Sequence, residues 1–172
     1  MRGQKEVAVA KGTLEDLRLI PAAPTPTQEG LNAIAQADFV TLGPGSWFSS
    51  VLPHLLVGAQ REAIENSDAK RIIILNLDAA PHIQGEELAG SSPADHVRVM
   101  RRFAPKMSCD IALVDRSVAS QPSILSELDL LVEAMGGRVF VADLASQKDP
   151  NHHDSEKLFS AFSHIFQSEM LR

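Results

Sequence analysis

The sequence has a single cysteine, Cys109, which excludes an internal disulfide and a thiolate zinc cage. It has no apolar run approaching the roughly 20 residues that cross a bilayer, and Met1 to Glu6 lack the apolar core of a signal peptide. A cytosolic protein is the expectation. Basic charge is also scarce: 16 Lys and Arg stand against 22 Asp and Glu, a formal charge of −6, and the cations are scattered rather than striped. That pattern argues against a nucleic-acid or anionic-membrane surface. What remains is 172 residues with 44% apolar content, enough for one hydrophobic core and too little for two, so one domain spanning 1–172 is expected.

Four short apolar runs recur with helical patterns between them: Asp38 to Leu42, Arg71 to Leu75, Asp110 to Val114 and Arg138 to Ala142. Their β-branched, continuously apolar character suits strands buried on both faces. After the first, Leu52, Leu55, Leu56, Ala59, Ala63 and Ile64 repeat at helical spacing, with Pro53 fit for a first turn. Before the third, Ser92-Pro93-Ala94-Asp95 reads as an N-cap followed by proline, leading into Val97, Met100 and Ala104. A third helix carries Ile124 to Val132 and stops at Gly136-Gly137. A last one starts near Asp154, with its phenylalanines expected in the core. Ahead of the first strand, Thr25-Pro26-Thr27-Gln28 has capping-box spacing before Leu31, Ile34 and Ala35. Val7 to Val9 and Leu17 to Leu19 predict a small edge hairpin, joined to the rest by a stiff connector with Pro21, Pro24 and Pro26. Strand–helix alternation of this kind predicts an α/β, Rossmann-like three-layer fold around a mostly parallel sheet.

In such sheets ligands bind beyond the carboxyl ends of the strands. That edge collects Gly43-Pro44-Gly45-Ser46, then Asn76 and Asp78, then Asp115 and Arg116, then Asp143. The glycine loop is the sharpest signal. Two glycines admit close backbone approach, Ser46 can cap the next turn or meet an oxyanion, and a helix start presents amides to a phosphate. The same spacing equally describes an ordinary tight turn, and it is neither a Walker loop nor a GxGxxG fingerprint. The acids could hold Mg²⁺ or sugar hydroxyls, yet Asp is also a routine turn residue. The Asn76 amide could read a base or sugar by donating and accepting together. His152 and His153 sit in a polar helix entry that needs no metal. His96, beside Asp95, is a catalytic candidate with a structural alternative. Trp47 and Phe48 could stack on a base or fill the core, with the core favoured for Trp47, and Cys109 reads as a small buried residue.

Leu42 to Leu56, LGPGSWFSSVLPHLL, resembles the LGPGSLYTSIxPNLL wording of the YvcK-type proteins of the YvcK/CofD family, the gluconeogenesis factors or UDP-N-acetylglucosamine-binding proteins. The likeness continues in Asn76-Leu77, Ser92 to Val97, Ala142-Asp143-Leu144 and His153 to Leu158, and Gly3 to Ala10 resembles the family's hairpin segment. It implies a Rossmann-like nucleotide-sugar binder linked to gluconeogenic growth, cell-wall synthesis and cell shape in bacteria, with a ligand wall formed by Gly43, Pro44, Gly45, Ser46, Phe48, Ser49, Ser50 and Asn76. Phe48 stands where the family has a ligand-binding tyrosine. Glu87, loosely aligned to a family glutamate, His96 and Asp143 are further candidates.

Two departures accompany the likeness. Asp78 to Ser91 is longer than the family loop NLMTQPGETxGYS and lacks its proline-glycine turn and aromatic. Nothing in the chain matches the GGGTG-like loop with which the family begins, so the expectation is an incomplete domain.

The leading expectation is therefore a UDP-sugar-binding regulator without catalytic residues assigned. Alternatives are a 2-phospho-L-lactate transferase-like enzyme, with Mg²⁺ as cofactor, and a degenerate module acting through protein contacts. GPGS favours the binder, because the transferase branch carries a GPSNP-type loop. A homodimer is a family expectation that no residue here specifies.

Overall fold

Four parallel strands form the centre of the protein in the computed structural model, which describes residue 3, residues 16–77 and residues 92–170. They are β1 (Phe39–Leu42), β2 (Lys70–Ile74), β3 (Ile111–Asp115) and β4 (Arg138–Ala142), hydrogen-bonded in the order β1-β2-β3-β4. Registers are set by pairs such as Thr41 with Ile72, Ile73 with Ala112 and Leu113 with Phe140. Each observed strand lies within a residue of its predicted run. A β-strand sends alternate side chains to opposite faces, and both faces of β3 and of Ile72 to Ile74 in β2 are apolar, so β3 and that part of β2 are buried.

The helices divide unequally between the faces. On one side Ile73, Leu75, Ala112 and Val114 pack with residues of α2 (Leu52–Leu56), α3 (Gly58–Asn66), α4 (Pro93–Phe103) and α5 (Pro122–Glu133). On the other, Ile72, Ile74, Ile111 and Leu113 meet, among the described residues, one helix, α6 (Ser155–Met170), through Ala161 and Ile165. Each fully buried Ile or Leu contributes about 1.5–3 kcal/mol relative to exposure, and this interdigitated pair of layers holds the sheet edge steady.

Helix ends follow the local chemistry. The Ser92 hydroxyl accepts from the Asp95 amide and the Asp95 carboxylate accepts from the Ser92 amide, a reciprocal capping box with Pro93 in the first turn. Asp95 lies below the ordinary carboxylate range: burial pulls it upward, but its bonds to the Ser92 backbone and to Arg98 outweigh that. Gly136, at φ +89°, ends the turn after α5 as predicted. Arg71 donates to the carbonyls of Ile64 and Ser67, tying the end of α3 to β2.

Four expectations change. The helix after β1 is three pieces, a π-helical turn (Trp47–Val51), α2 and α3, with Val57 extended between the latter two. Val57 and Gly58 are both weak helix formers. At α1 (Gln28–Ala35) the cap is Thr27, whose hydroxyl accepts from Gly30; a hydroxyl needs only an amide three residues on, and Gly30 serves where the sequence suggested Thr25 with Gln28. The predicted edge hairpin is not formed by its second arm: Leu17 to Leu19 are not in a strand, and Leu17 packs against the helical side of the core instead. Its first arm lies outside the described residues. Finally, Phe162 and Phe166 pack under the sheet, but Phe159 is 71% exposed, because it falls on the outer side of α6.

Candidate functional site

Because all four strands are parallel, their following loops share one edge. The glycine loop leaves β1 there. Gly43 has φ +88° and precedes a cis peptide to Pro44. A Cβ at Gly43 would lie 2.5 Å from the Ile74 carbonyl oxygen, so the chain can pass the end of β2 only as glycine. Gly45 has φ +141°, again a conformation that other residues rarely adopt.

Ser46 then starts the helical segment. Its hydroxyl accepts from the Ser49 amide at 3.1 Å and from the Ser49 hydroxyl at 2.5 Å. Its carbonyl accepts from both Ser50 and Val51, which widens the first turn into a π-helix, a form frequent at functional sites. Trp47, Phe48 and Val51 project into the core, anchoring the turn. Pro44 and Ser50 stay exposed, while Gly43, Gly45, Ser46 and Ser49 are half-buried. A helix start has amides without intrahelical acceptors and the positive end of the peptide dipoles.

Asn76, after β2, reaches across to this loop. Its Oδ1 accepts from the Gly45 amide at 3.1 Å and its Nδ2 donates to the Gly45 carbonyl at 3.1 Å. The side chain thus pairs with Gly45 as a neighbouring strand would. The sequence placed Asn76 as a reader of the ligand; in the structure this half of the amide's hydrogen-bonding capacity holds the loop, leaving one N–H and one lone pair.

Phe48 differs from its expected role. It is 4% exposed within the core cluster, so its ring is not part of an open stacking wall; a side chain without a phenolic hydroxyl has no polar end to keep at the surface. Trp47 is 1% exposed, as favoured by the sequence. It stacks on His96 at 5.0 Å between centroids and 15° between planes. His96, also 1% exposed, is pushed down to about 4 by burial, against the opposing pull of Asp95. It is neutral at pH 7 and buried against Trp47, beneath the loop. Asp78 and Glu87 lie outside the described residues.

The other end of the edge is a brace. Asp115 accepts from the amides of Ser117, Leu144 and Ala145 at 2.8–3.1 Å. Burial raises its carboxyl, but these amide bonds dominate and hold it below the ordinary value. It fastens the loop after β3 to the loop after β4. Asp143 pairs with Lys157 at 2.8 Å and lies 3.8 Å from Arg116, and Lys157 also donates to the Ala145 carbonyl at 2.6 Å. Lys157 is a site-edge residue that the residue-by-residue reading did not single out. A cation in the first turn of α6 faces the unfavourable end of the helix dipole, and that mismatch, set beside Asp143 in the chain, was the available signal.

His152 is exposed and bonded to Asp149 at 2.7 Å. His153 turns inward, its ring kept below the ordinary value by burial, with the Leu75 carbonyl and Asp115 opposing. Among the described residues no three His, Cys, Asp or Glu side chains are grouped to hold a metal ion. Of the acids expected as Mg²⁺ ligands, Asp115 accepts from three backbone amides and Asp143 is paired with Lys157, while Asp78 lies outside the described residues. Cys109 is buried, and burial pushes its thiol up to about 12. Among the described residues no helix is long and apolar enough to cross a membrane.

Comparison with known proteins bears on this edge. Residues 1–156 match the model of the family described as 2-phospho-L-lactate transferase CofD. A Mycobacterium tuberculosis protein carrying the name gluconeogenesis factor is 34% identical over 152 residues, 88% of this chain and 43% of that protein. The gluconeogenesis factor of Halalkalibacterium halodurans is 34% identical over 113 residues, 66% of this chain and 32% of that protein. A crystal structure of a UPF0052 family member from Bacillus halodurans superposes with a TM-score of 0.73 at 27% identity, covering 92% of this chain and 53% of the other. This chain therefore spans about half the length of such relatives or less. With a family model matched over most of its residues and relatives above 30% identity along them, the chain belongs to the CofD/YvcK family.

Proposed function

We propose that this chain supplies a phosphate-facing wall of a nucleotide-sugar site and acts as a binding, regulatory component of the gluconeogenesis-factor type. The observation that carries the reading is the clamp of Asn76 on Gly45. It fixes a half-buried loop at a helix start whose two positive-φ glycines adopt torsions closed to other residues and leave the backbone without side chains to bar close approach. A diphosphate-linked sugar such as UDP-N-acetylglucosamine suits it, since amides at a helix start favour phosphate oxygens and each charge-assisted bond contributes about 1.5–3 kcal/mol. Pro44 and Ser50, the exposed members of the loop, would border the ligand. Ser49 and Ser46 supply hydroxyls beside it.

The match to a transferase family model supports a second reading, transfer of a phosphorylated group. The described residues placed at this edge give it no metal-binding set.

Isothermal calorimetry against UDP-N-acetylglucosamine tests the first reading. Saturable binding is expected, lost in Gly45→Val, whose added side chain meets Ser50 at a φ of +141°, with the folded circular-dichroism spectrum retained. Absence of heat from the wild-type chain would refute it. Turnover of a nucleotide-linked phospholactate would move the assignment to the transferase.

A further inference from the structure

The carboxyl-terminal half of α4 carries a feature that the glycine loop does not use. Arg98, Arg101 and Arg102 line one open groove of about 280 Å³ together with Pro105. The spacing of three and four residues puts Arg101 and Arg102 one turn beyond Arg98 on the same helix face. Helix α4 starts at Pro93, between β2 and β3 in the chain, and runs back toward the start of β3, so the groove lies toward the sheet edge opposite Gly43 to Ser46.

The end of the helix has other partners. Ala104 donates to the Met100 carbonyl at 2.9 Å, and Arg61 from α3 donates to the Phe103 carbonyl at 3.5 Å. Arg98 is fixed by Asp95 at 2.7 Å and by Glu127 of α5, which orients its guanidinium plane. Arg101 makes no ion pair or hydrogen bond among the described residues. In a chain of net charge −6, the groove sets three arginines against the two carboxylates that pair with Arg98, a local excess of positive charge, with Arg102 lying over the Phe103 ring at 5.9 Å.

We propose that this groove is a second anion site, separate from the glycine loop, for a small ligand bearing two or more phosphate-type charges. Guanidinium forks match such oxyanions in plane and spacing, where lysines would act as point charges. The volume is near the lower end for small-molecule sites. Three arginines on an acidic chain are too few for a nucleic-acid backbone, which needs an extended basic stripe.

Pyrophosphate is the probe. The full chain is titrated calorimetrically at low salt as wild type, as Arg101→Gln/Arg102→Gln and as Gly45→Val, with circular dichroism and melting curves for each. The expected result is binding weakened at least about tenfold by the arginine pair, from loss of charge-assisted bonds, and retained at the arginine site in Gly45→Val. Arg101→Lys/Arg102→Lys keeps the charge and loses the forks, so it should bind with intermediate affinity; it also covers the case in which the glutamine pair fails to fold. Wild-type chain that binds no pyrophosphate overturns the proposal. So does binding unchanged by the arginine variants, binding lost only in Gly45→Val, or equal thermal stabilisation by sulfate at matched ionic strength.

Discussion

Lowering the pH from 7 to about 4.5 should destabilise the protein through His96 in particular. In the folded chain the imidazole is buried against Trp47 and pushed down to about 4, from an ordinary value of 6.5. Between those values the unfolded chain binds the proton and the folded chain does not. Stability from this residue is therefore complete above pH 6.5 and is lost as the pH falls toward 4. At about 1.4 kcal/mol per pH unit, the whole window corresponds to about 3 kcal/mol, of which about 2–3 kcal/mol is lost by pH 4.5. Asp95 and Asp115 have depressed carboxyls, so their contributions persist above 3.8 and fade below this window. His153 is also lowered and acts in the same direction, so a variant is needed to separate them.

His96→Phe keeps a ring on Trp47 and removes the titration. Urea unfolding of both proteins, followed by the fluorescence of the single tryptophan, gives stability at each pH. Wild type should lose about 2–3 kcal/mol more than the variant between pH 7 and about 4.5. Parallel pH profiles would refute the reasoning, since they would mean that His96 is not held neutral by burial beneath the loop.

Three further outcomes follow from the same edge. Gly43→Ala places a Cβ 2.5 Å from the Ile74 carbonyl at φ +88° and should cost about 2 kcal/mol or more in urea unfolding; an unchanged midpoint would show that the loop can move off β2. Asn76→Ala leaves the Gly45 amide and carbonyl without their 3.1 Å partners, for a loss of about 1–3 kcal/mol and a weaker calorimetric response to UDP-N-acetylglucosamine. Lys157→Met removes the 2.8 Å partner of Asp143; both groups are partly solvated, so the cost should be only about 1 kcal/mol, with faster hydrogen exchange confined to Asp143 to Ser146.

What could be read from the chain was mostly what depends on neighbours in sequence. Ile72 to Leu75 and Ile111 to Val114 are apolar without interruption, so they had to be central strands, and parallel strands put Gly43, Asn76, Asp115 and Asp143 on one edge wherever the helices lay. Ser92, Pro93 and Asp95 form their capping box within four residues of chain. Such features rest on torsions and hydrogen bonds of short range, which local composition encodes directly.

Partner choice across distant segments was decided only by the fold. Asn76 is 31 residues from Gly45, and Asp115 is 29 from Leu144; nothing in their spacing says that one amide clamps the loop and one carboxylate braces two others. Phe48 and Ser49 are adjacent, yet the π-turn buries the first and leaves the second half-open. Polar side chains at a sheet edge can satisfy ligand, water or backbone with equal chemistry, and only the packed positions of β1 to β4 determine which lies within about 3 Å. Sequence alone thus located the glycine loop, and tertiary structure determined that its shape is held by Asn76 above a neutral His96 stacked on Trp47.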